Sequence, residues 1–196
     1  KAARERLQPP NAEHLFGTDG YGRDIFARVV HGSRVSLMIG LSTTIFSLVV
    51  GGLLGAAAGY YGGKVDDIIM RACDIVMSIP GILLALAIIA ALGASTMNLL
   101  IAITISSVPG SVRLVRSTIL TVVEQDFIEA ARSYGSSDMR IIVKYILPNA
   151  VGPIIVNTTM SIASMILSAA GLSFIGMGIQ PPQPEWGAML SEARQY

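Results

Sequence analysis

The sequence reads as an all-α polytopic membrane protein, and three observations carry that reading. Hydrophobic residues make up 52% of the 196 and charged residues only 14%, against roughly 25% charged in an average soluble domain. The mean hydropathy is +0.61. Two stretches, Val35 to Tyr60 and Asn149 to Ile175, contain no charge at all and are longer than the ~20 residues a membrane helix needs. So few charges cannot cover a soluble protein of this size. With 14 Lys and Arg against 13 Asp and Glu the net charge is +1, which excludes a strongly basic nucleic-acid binder. Low charge with high hydrophobicity excludes disorder. The single cysteine, Cys73, makes no internal disulfide and reads as a small buried hydrophobe.

Residues 1–34 form a polar, turn-rich arm, with Pro9-Pro10-Asn11 and the run from Gly17 to Asp24 favouring tight turns. The opening KAARERLQPPN lacks the charged-then-apolar order of a signal peptide, so insertion is expected through an internal segment or an earlier one. Asp24 to Arg34 predicts a short amphipathic helix on the membrane surface that feeds the first span.

That span, Val35–Tyr60, reaches about 39 Å as a helix, enough to cross a hydrocarbon core of about 30 Å with some tilt. It carries Gly51, Gly55 and Gly59 at every fourth position. This is either a close-packing seam or the ordinary abundance of glycine in membrane helices. After a turn at Tyr60–Lys64, Asp66 to Gly93 predicts one long helical region kinked at Pro80. Asp67, Arg71 and Asp74 are spaced to pair along one face of its first half. Charges there lie at the interface or, if buried, mark an ion pathway.

Gly93–Thr96 is a tight turn. The third span, Met97–Val123, is interrupted at Pro109-Gly110, which reads as a cavity lining near Val108–Ser111 or as a plain kink. The fourth runs from Asn149 to Ile175. Trp186, after Pro181-Pro182, suits a membrane–water interface. Between the last two spans, residues 124–148 are polar yet helical in pattern, two short helices meeting near Tyr134–Ser137. Lys64, Arg71, Arg113, Arg116, Arg132, Arg140 and Lys144 put this piece on the cytoplasmic side. The arm, residues 1–34, then lies outside, and residues 35–196 form the transmembrane domain with a cytoplasmic loop at 124–148.

No catalytic constellation is found. His14 and His31 sit in the arm, away from further ligands, so no metal site is expected. Nucleophile-elbow and zinc-protease motifs are missing, and so is a Walker A, since the Gly63-Lys64 pair is followed by Val65. The nine methionines are scattered and read as packing filler before a metal path. No cofactor is expected.

Glu129-Ala130-Ala131, three residues, Gly135, nine residues, then Tyr145-Ile146-Leu147-Pro148 resembles the EAA loop of permease subunits of bacterial ABC importers. Phe16–Asp19 with Gly22–Asp24, Gly59–Gly63, Met70-Arg71 with Asp74, and Leu172–Gly176 with Pro181-Pro182 and Trp186-Gly187 narrow the resemblance. They match the dipeptide/oligopeptide/nickel permeases, and within them the second, C-type subunit, over about residues 14–194. Tyr145 stands where such permeases often have His. They usually have six spans; four are read here, so flanking spans are expected beyond both ends.

The resemblance implies a type I ABC importer transmembrane fold in the bacterial cytoplasmic membrane, working with a second homologous permease, two ATPase subunits and an extracytoplasmic binding protein. It places Glu129, Ala130, Ala131 and Gly135 at the ATPase contact and ATP hydrolysis on those separate subunits. Short peptides are the expected cargo, with nickel or glutathione as alternatives. Ser106, Ser107, Ser111, Asn157 and Thr158 are candidate path residues, or else interhelical hydrogen-bond partners. The rivals are an ATP-independent channel or secondary transporter, which would need intramembrane ionisable groups, and an intramembrane enzyme, which would need a paired nucleophile and base.

Overall fold

The computed structural model describes residues 5–180 and 182–195; residues 1–4, Pro181 of the proline pair and the last residue lie outside it. All regular elements among the described residues are helices.

Asp24 starts the first helix. One carboxylate oxygen accepts from the Ala27 amide at 2.7 Å, and the other lies 2.7 Å from His14 Nδ1. These contacts, the Ala27 amide foremost, hold the Asp24 carboxyl below the usual carboxylate range. From there α1 runs unbroken over Ile25–Tyr61. The separate surface helix expected over 24–34 is therefore the first part of the span's own helix. Gly32 and Ser33 weaken helix propensity, but nothing after Asp24 removes an amide or forbids helical dihedrals. Gly62 ends α1 at φ +61°, and Gly63 follows at φ +52°, left-handed backbone that glycine adopts without strain.

α2 (Gly63–Met77) and α3 (Gly81–Leu92) meet at a 77° bend. The single kinked helix expected over 66–93 is thus two helices. Pro80 has no N–H to donate, and its ring disfavours helical backbone at Ile79. The 12 residues of α3 reach only about 18 Å, so the bent pair makes one crossing. With α1, α4 and α7 it brings the apolar crossings to four. α4 (Thr96–Val123) is capped by Ser95, and the Asn98 side chain donates to the Leu92 and Gly93 carbonyls, both at 2.9 Å, fastening the turn. Pro109 does not interrupt α4; the helix continues through it.

α5 (Asp126–Ser133) and α6 (Asp138–Ile141) form the polar piece. α6 passes through a wider turn, Ile142–Ile146, into α7 (Leu147–Phe174), with the Leu147 amide bonding to the Ile142 carbonyl five residues back. α8 (Trp186–Ala193) follows.

Two apolar cores hold the bundle. Ile39, Ile89, Leu99, Ala102 and Leu172 centre one. Val115, Ile119, Ile128, Ile141 and Ile146 centre the other, beneath the polar piece. The most extensive helix contact is α1 on α4, and the glycines explain it. A Cβ on Gly51 would lie 2.5 Å from Ser111 Cβ, and one on Gly55 2.5 Å from the Val112 carbonyl oxygen. The every-fourth glycines are therefore a packing seam.

α8 is docked on α1 and α7. Buried Glu185 caps it, accepting from the Gly187 and Ala188 amides at 2.9 Å each, and the Trp186 indole donates to the Val29 carbonyl at 3.1 Å. Gly187 lets it approach, since a Cβ there would sit 2.1 Å from the Ala170 carbonyl. The arm is tied to α8 by ions. Arg28 Nη1 lies 2.7 Å from both Asp19 and Glu192, and Arg23 bonds the same two carboxylates at 2.7 and 3.0 Å.

Candidate functional site

Between the two cores α1, α4 and α7 do not close on one another. They leave a cavity of about 380 Å³, lined on α1 by Thr44 and Ser47, on α4 by Ser106, Ser107 and Ser111, and on α7 by Asn157, Thr158 and Ser161. Met77, Leu114 and Met165 supply apolar wall. A second cavity of about 190 Å³ shares Ser106, Ser107 and Met165 and extends toward Ile103 and Leu172. Together they follow α4 for about 17 Å, more than half the hydrocarbon thickness. No charged side chain lines either among the described residues.

The five residues that the sequence singles out as a path, Ser106, Ser107, Ser111, Asn157 and Thr158, all line this one cavity. Thr44, Ser47 and Ser161 were missed. Ser161 stands one turn from Asn157, which is a usable signal. Nothing local marks the two on α1, because their place follows from the glycine seam that sets α1 against α4.

The hydrogen bonds give the lining its character. Ser106 donates to the Ala102 carbonyl at 2.8 Å, Ser107 to Thr104 at 3.0 Å, Thr158 to Ile154 at 2.7 Å and Ser161 to Asn157 at 2.9 Å. The Asn157 amide donates to the Pro153 carbonyl at 3.0 Å. Ser47 and Ser111 share a bond of 2.8 Å across the α1–α4 seam. Buried Thr44 is the exception, its hydroxyl without a partner.

Charges gather at the end of the bundle that carries α5. Arg116 makes a two-pronged pair with Asp66, and Arg113 lies 2.6 Å from Asp74. The pairing expected within α2, of Arg71 with Asp67 and Asp74, is replaced by pairs between helices. Arg113 and Arg116 stand about one turn apart on α4, with α2 packed alongside. Arg113–Asp74 is too exposed to add much stability. The Asp66–Arg116 side chains are 18% and 29% exposed, so losing one partner matters more. Asp66→Asn is expected to cost about 1–2 kcal/mol, read as a thermal midpoint in detergent lowered by about 2–8 °C. Adding Arg116→Gln should recover part of it; no change on Asp66→Asn would show the pair to be idle.

At the same end α5 stands out from the bundle. Ile128 and Ala131 face inward onto Val122, Ile141 and Ile146, while Glu129 and Ala130 are exposed and Tyr134 is 91% exposed. The helix closes in a Schellman turn: the Gly135 amide donates to the Arg132 carbonyl at 2.9 Å and the Ser136 amide to Ala131 at 3.1 Å, with Gly135 at φ +73°. The Tyr60 hydroxyl, at the end of α1, donates to Asp138 at 2.7 Å, so the piece is tied to a span as well as to the core.

The family described as binding-protein-dependent transport system inner membrane component matches residues 51–194. The chain belongs to this family. It is thus a multi-span protein of the inner membrane. Among this component's relatives, the dipeptide transport system permease protein DppC of Alkalihalophilus pseudofirmus is 51% identical over 97% of the chain and 63% of its own length. The glutathione transport system permease protein GsiD of Pectobacterium atrosepticum is 46% identical over 94% of the chain and 62% of its own length. The chain therefore spans less than two thirds of the length of these curated relatives. In fold the component is similar to the inward-facing MetNI methionine ABC transporter, at a TM-score of 0.69 and 20% identity over 86% of this chain and 87% of that one. It is also similar to an amino acid ABC transporter, at 0.66 and 16% over 84% and 76%. These likenesses show the type I ABC importer transmembrane fold.

Proposed function

We propose that this component is the C-type permease subunit of an ATP-driven importer of di- and oligopeptides, with the cavity between α1, α4 and α7 as part of the path. The observation that carries the reading is a capped helix standing out of the bundle, with Glu129, Ala130 and Gly135 at its outer side. In this reading α5 faces the cytoplasm and is gripped by one of two ATPase subunits, which hydrolyse ATP. Glu129 and Ala130 meet the ATPase, Gly135 fixes the end of the helix, and Ala131, turned inward, seats it on the core. The residues 1–34 arm with α8 faces outward, where a binding protein delivers cargo. α7 leaves Ile155, Val156, Met160 and Leu167 more than half exposed, apolar surface suited to a second permease and to lipid. Glutathione is a second reading of the cargo, favoured by the GsiD relatives; it too is a short peptide.

The test is purification of the tagged full-length protein from native membranes in detergent, with co-purifying proteins identified by mass. A second multispan permease and ATPases carrying a Walker A motif are expected. Recovery of this protein alone, still transporting without ATP, would replace the importer by a channel or secondary transporter.

A further inference from the structure

We propose that the cavity between α1, α4 and α7 is a subsite for the protonated amino end of the cargo, held by oxygen acceptors and by no carboxylate. This inference rests on the peptide-importer reading and names the part of the peptide that the cavity recognises.

A hydroxyl has one proton and two lone pairs. In four of the lining hydroxyls, Ser106, Ser107, Thr158 and Ser161, that proton is already given to a carbonyl of the same helix. Each oxygen can then only accept. Asn157 gives one amide proton to Pro153 and keeps its carbonyl oxygen for the same use. Ser47 and Ser111 occupy each other. The free proton donors that remain are few: one from the Ser47–Ser111 pair, the unpartnered Thr44 hydroxyl and one Asn157 N–H. The lining is therefore rich in acceptors and poor in donors. It is matched to a group that carries several N–H bonds and no lone pair, and an ammonium is that group.

The same inventory argues against the other end of a peptide. A carboxylate needs donors or a cation, and neither Lys nor Arg lines the cavity among the described residues. The lack of a lining carboxylate also suits a path. Hydroxyl oxygens hold an ammonium by charge-assisted hydrogen bonds without an opposing charge, so the cargo can leave again. At about 380 Å³ the cavity has room for the first residue or two of a peptide.

The experiment uses the assembled importer in nanodiscs without binding protein, and reads weak binding by saturation-transfer NMR. Three probes are compared: alanyl-alanine, alanyl-alaninamide and N-acetyl-alanyl-alanine. The first two are expected to bind alike and compete, and the acetylated probe to bind about tenfold more weakly, the loss of one charge-assisted bond. Thr158→Val, which removes an acceptor at constant shape, should narrow that difference several-fold, and Thr158→Ser should restore it. Equal binding of the acetylated probe, or loss of binding on amidation, would overturn the subsite. ATP-dependent uptake of alanyl-alanine with binding protein added is measured on the same preparation. Uptake with equal binding of all three probes removes the subsite and leaves the importer. The expected binding pattern without uptake removes the peptide-importer reading and leaves an amine site.

Discussion

Gly55→Leu should prevent the bundle from assembling, while Gly52→Leu, three residues earlier on the same helix, should leave it folded. The contrast follows from what each new side chain would meet. A Cβ at position 55 would lie 2.5 Å from the Val112 carbonyl oxygen and 3.0 Å from Val115 Cβ, whereas one at position 52 has nothing within 4 Å. The obstacle at 55 is backbone, which no rotamer change relieves. Even Gly55→Ala is expected to cost about 1–3 kcal/mol of overpacking, offset only in part by the ~1 kcal/mol of helix propensity that alanine returns. Leucine adds three more carbons to the same collision. Because α1 on α4 is the main contact and also sets Thr44 and Ser47 at the cavity, separating them removes core and cavity together. At Gly52 the propensity gain stands unopposed, so Gly52→Ala should match or slightly exceed the parent. Membrane yield, monodispersity in detergent and thermal midpoint decide the matter. Equal losses at 52 and 55 would mean that the seam is not what holds these helices.

That seam was legible in the sequence because it depends on spacing along one helix. Two of the prolines, Pro80 and Pro109, show where such reading stops. Pro80 and Pro109 carry the same chemical defect, yet α2 and α3 separate at the first and α4 continues through the second. The difference lies in the surroundings. Ser78, Ile79 and Pro80 are exposed, so nothing holds the chain helical against the proline. Pro109 is buried, and Val112 and Val115 just beyond it are buried as well, which outweighs one lost hydrogen bond. Sequence alone carries the defect and omits its neighbours.

The site divides in the same way. Ser106, Ser107 and Ser111 share a helix, as do Asn157 and Thr158, so polarity within uncharged spans was enough to single them out. Their meeting across α4 and α7 could not be read from spacing. Arg113 pairs with Asp74 and Arg116 with Asp66, both from α4 onto α2, so Arg71 does not make its expected pair with Asp74. Spacing within α2 carries no trace of the arginines on a neighbouring helix. The wider turn over Ile142–Ile146 had no local signal. It carries the chain from α6 into α7 with one extra residue in the turn, and Ile141 on one side and Ala150 on the other are both buried in the second core.

Gly135→Val is expected to cut coupled uptake about tenfold or more while the protein stays folded in the membrane. Gly135 lies at φ +73° with nothing within 4 Å of its missing Cβ, so valine meets no obstacle and the whole effect is conformational. Holding a side-chain-bearing residue left-handed costs about 1–2 kcal/mol, more for a β-branched one. That is small beside the stability of a domain, about 5–15 kcal/mol, and large beside what holds one turn. The chain will relax by opening the turn and releasing the amides of Gly135 and Ser136 from Arg132 and Ala131. α5 then loses its cap, and Glu129 and Ala130 no longer stand at a fixed height above Ile128 and Ala131. In the importer proposed above the expected result is ATP hydrolysis without stimulation by loaded binding protein, and uptake reduced about tenfold or more, the effect of ~1.4 kcal/mol at the coupling step. Gly135→Asn, which tolerates the left-handed backbone, should keep most of the activity. Gly152→Ala, in open space within α7, should keep all of it. A rank order of Asn above Val ties the loss to backbone conformation. Normal uptake by Gly135→Val would place the coupling contact elsewhere on the chain.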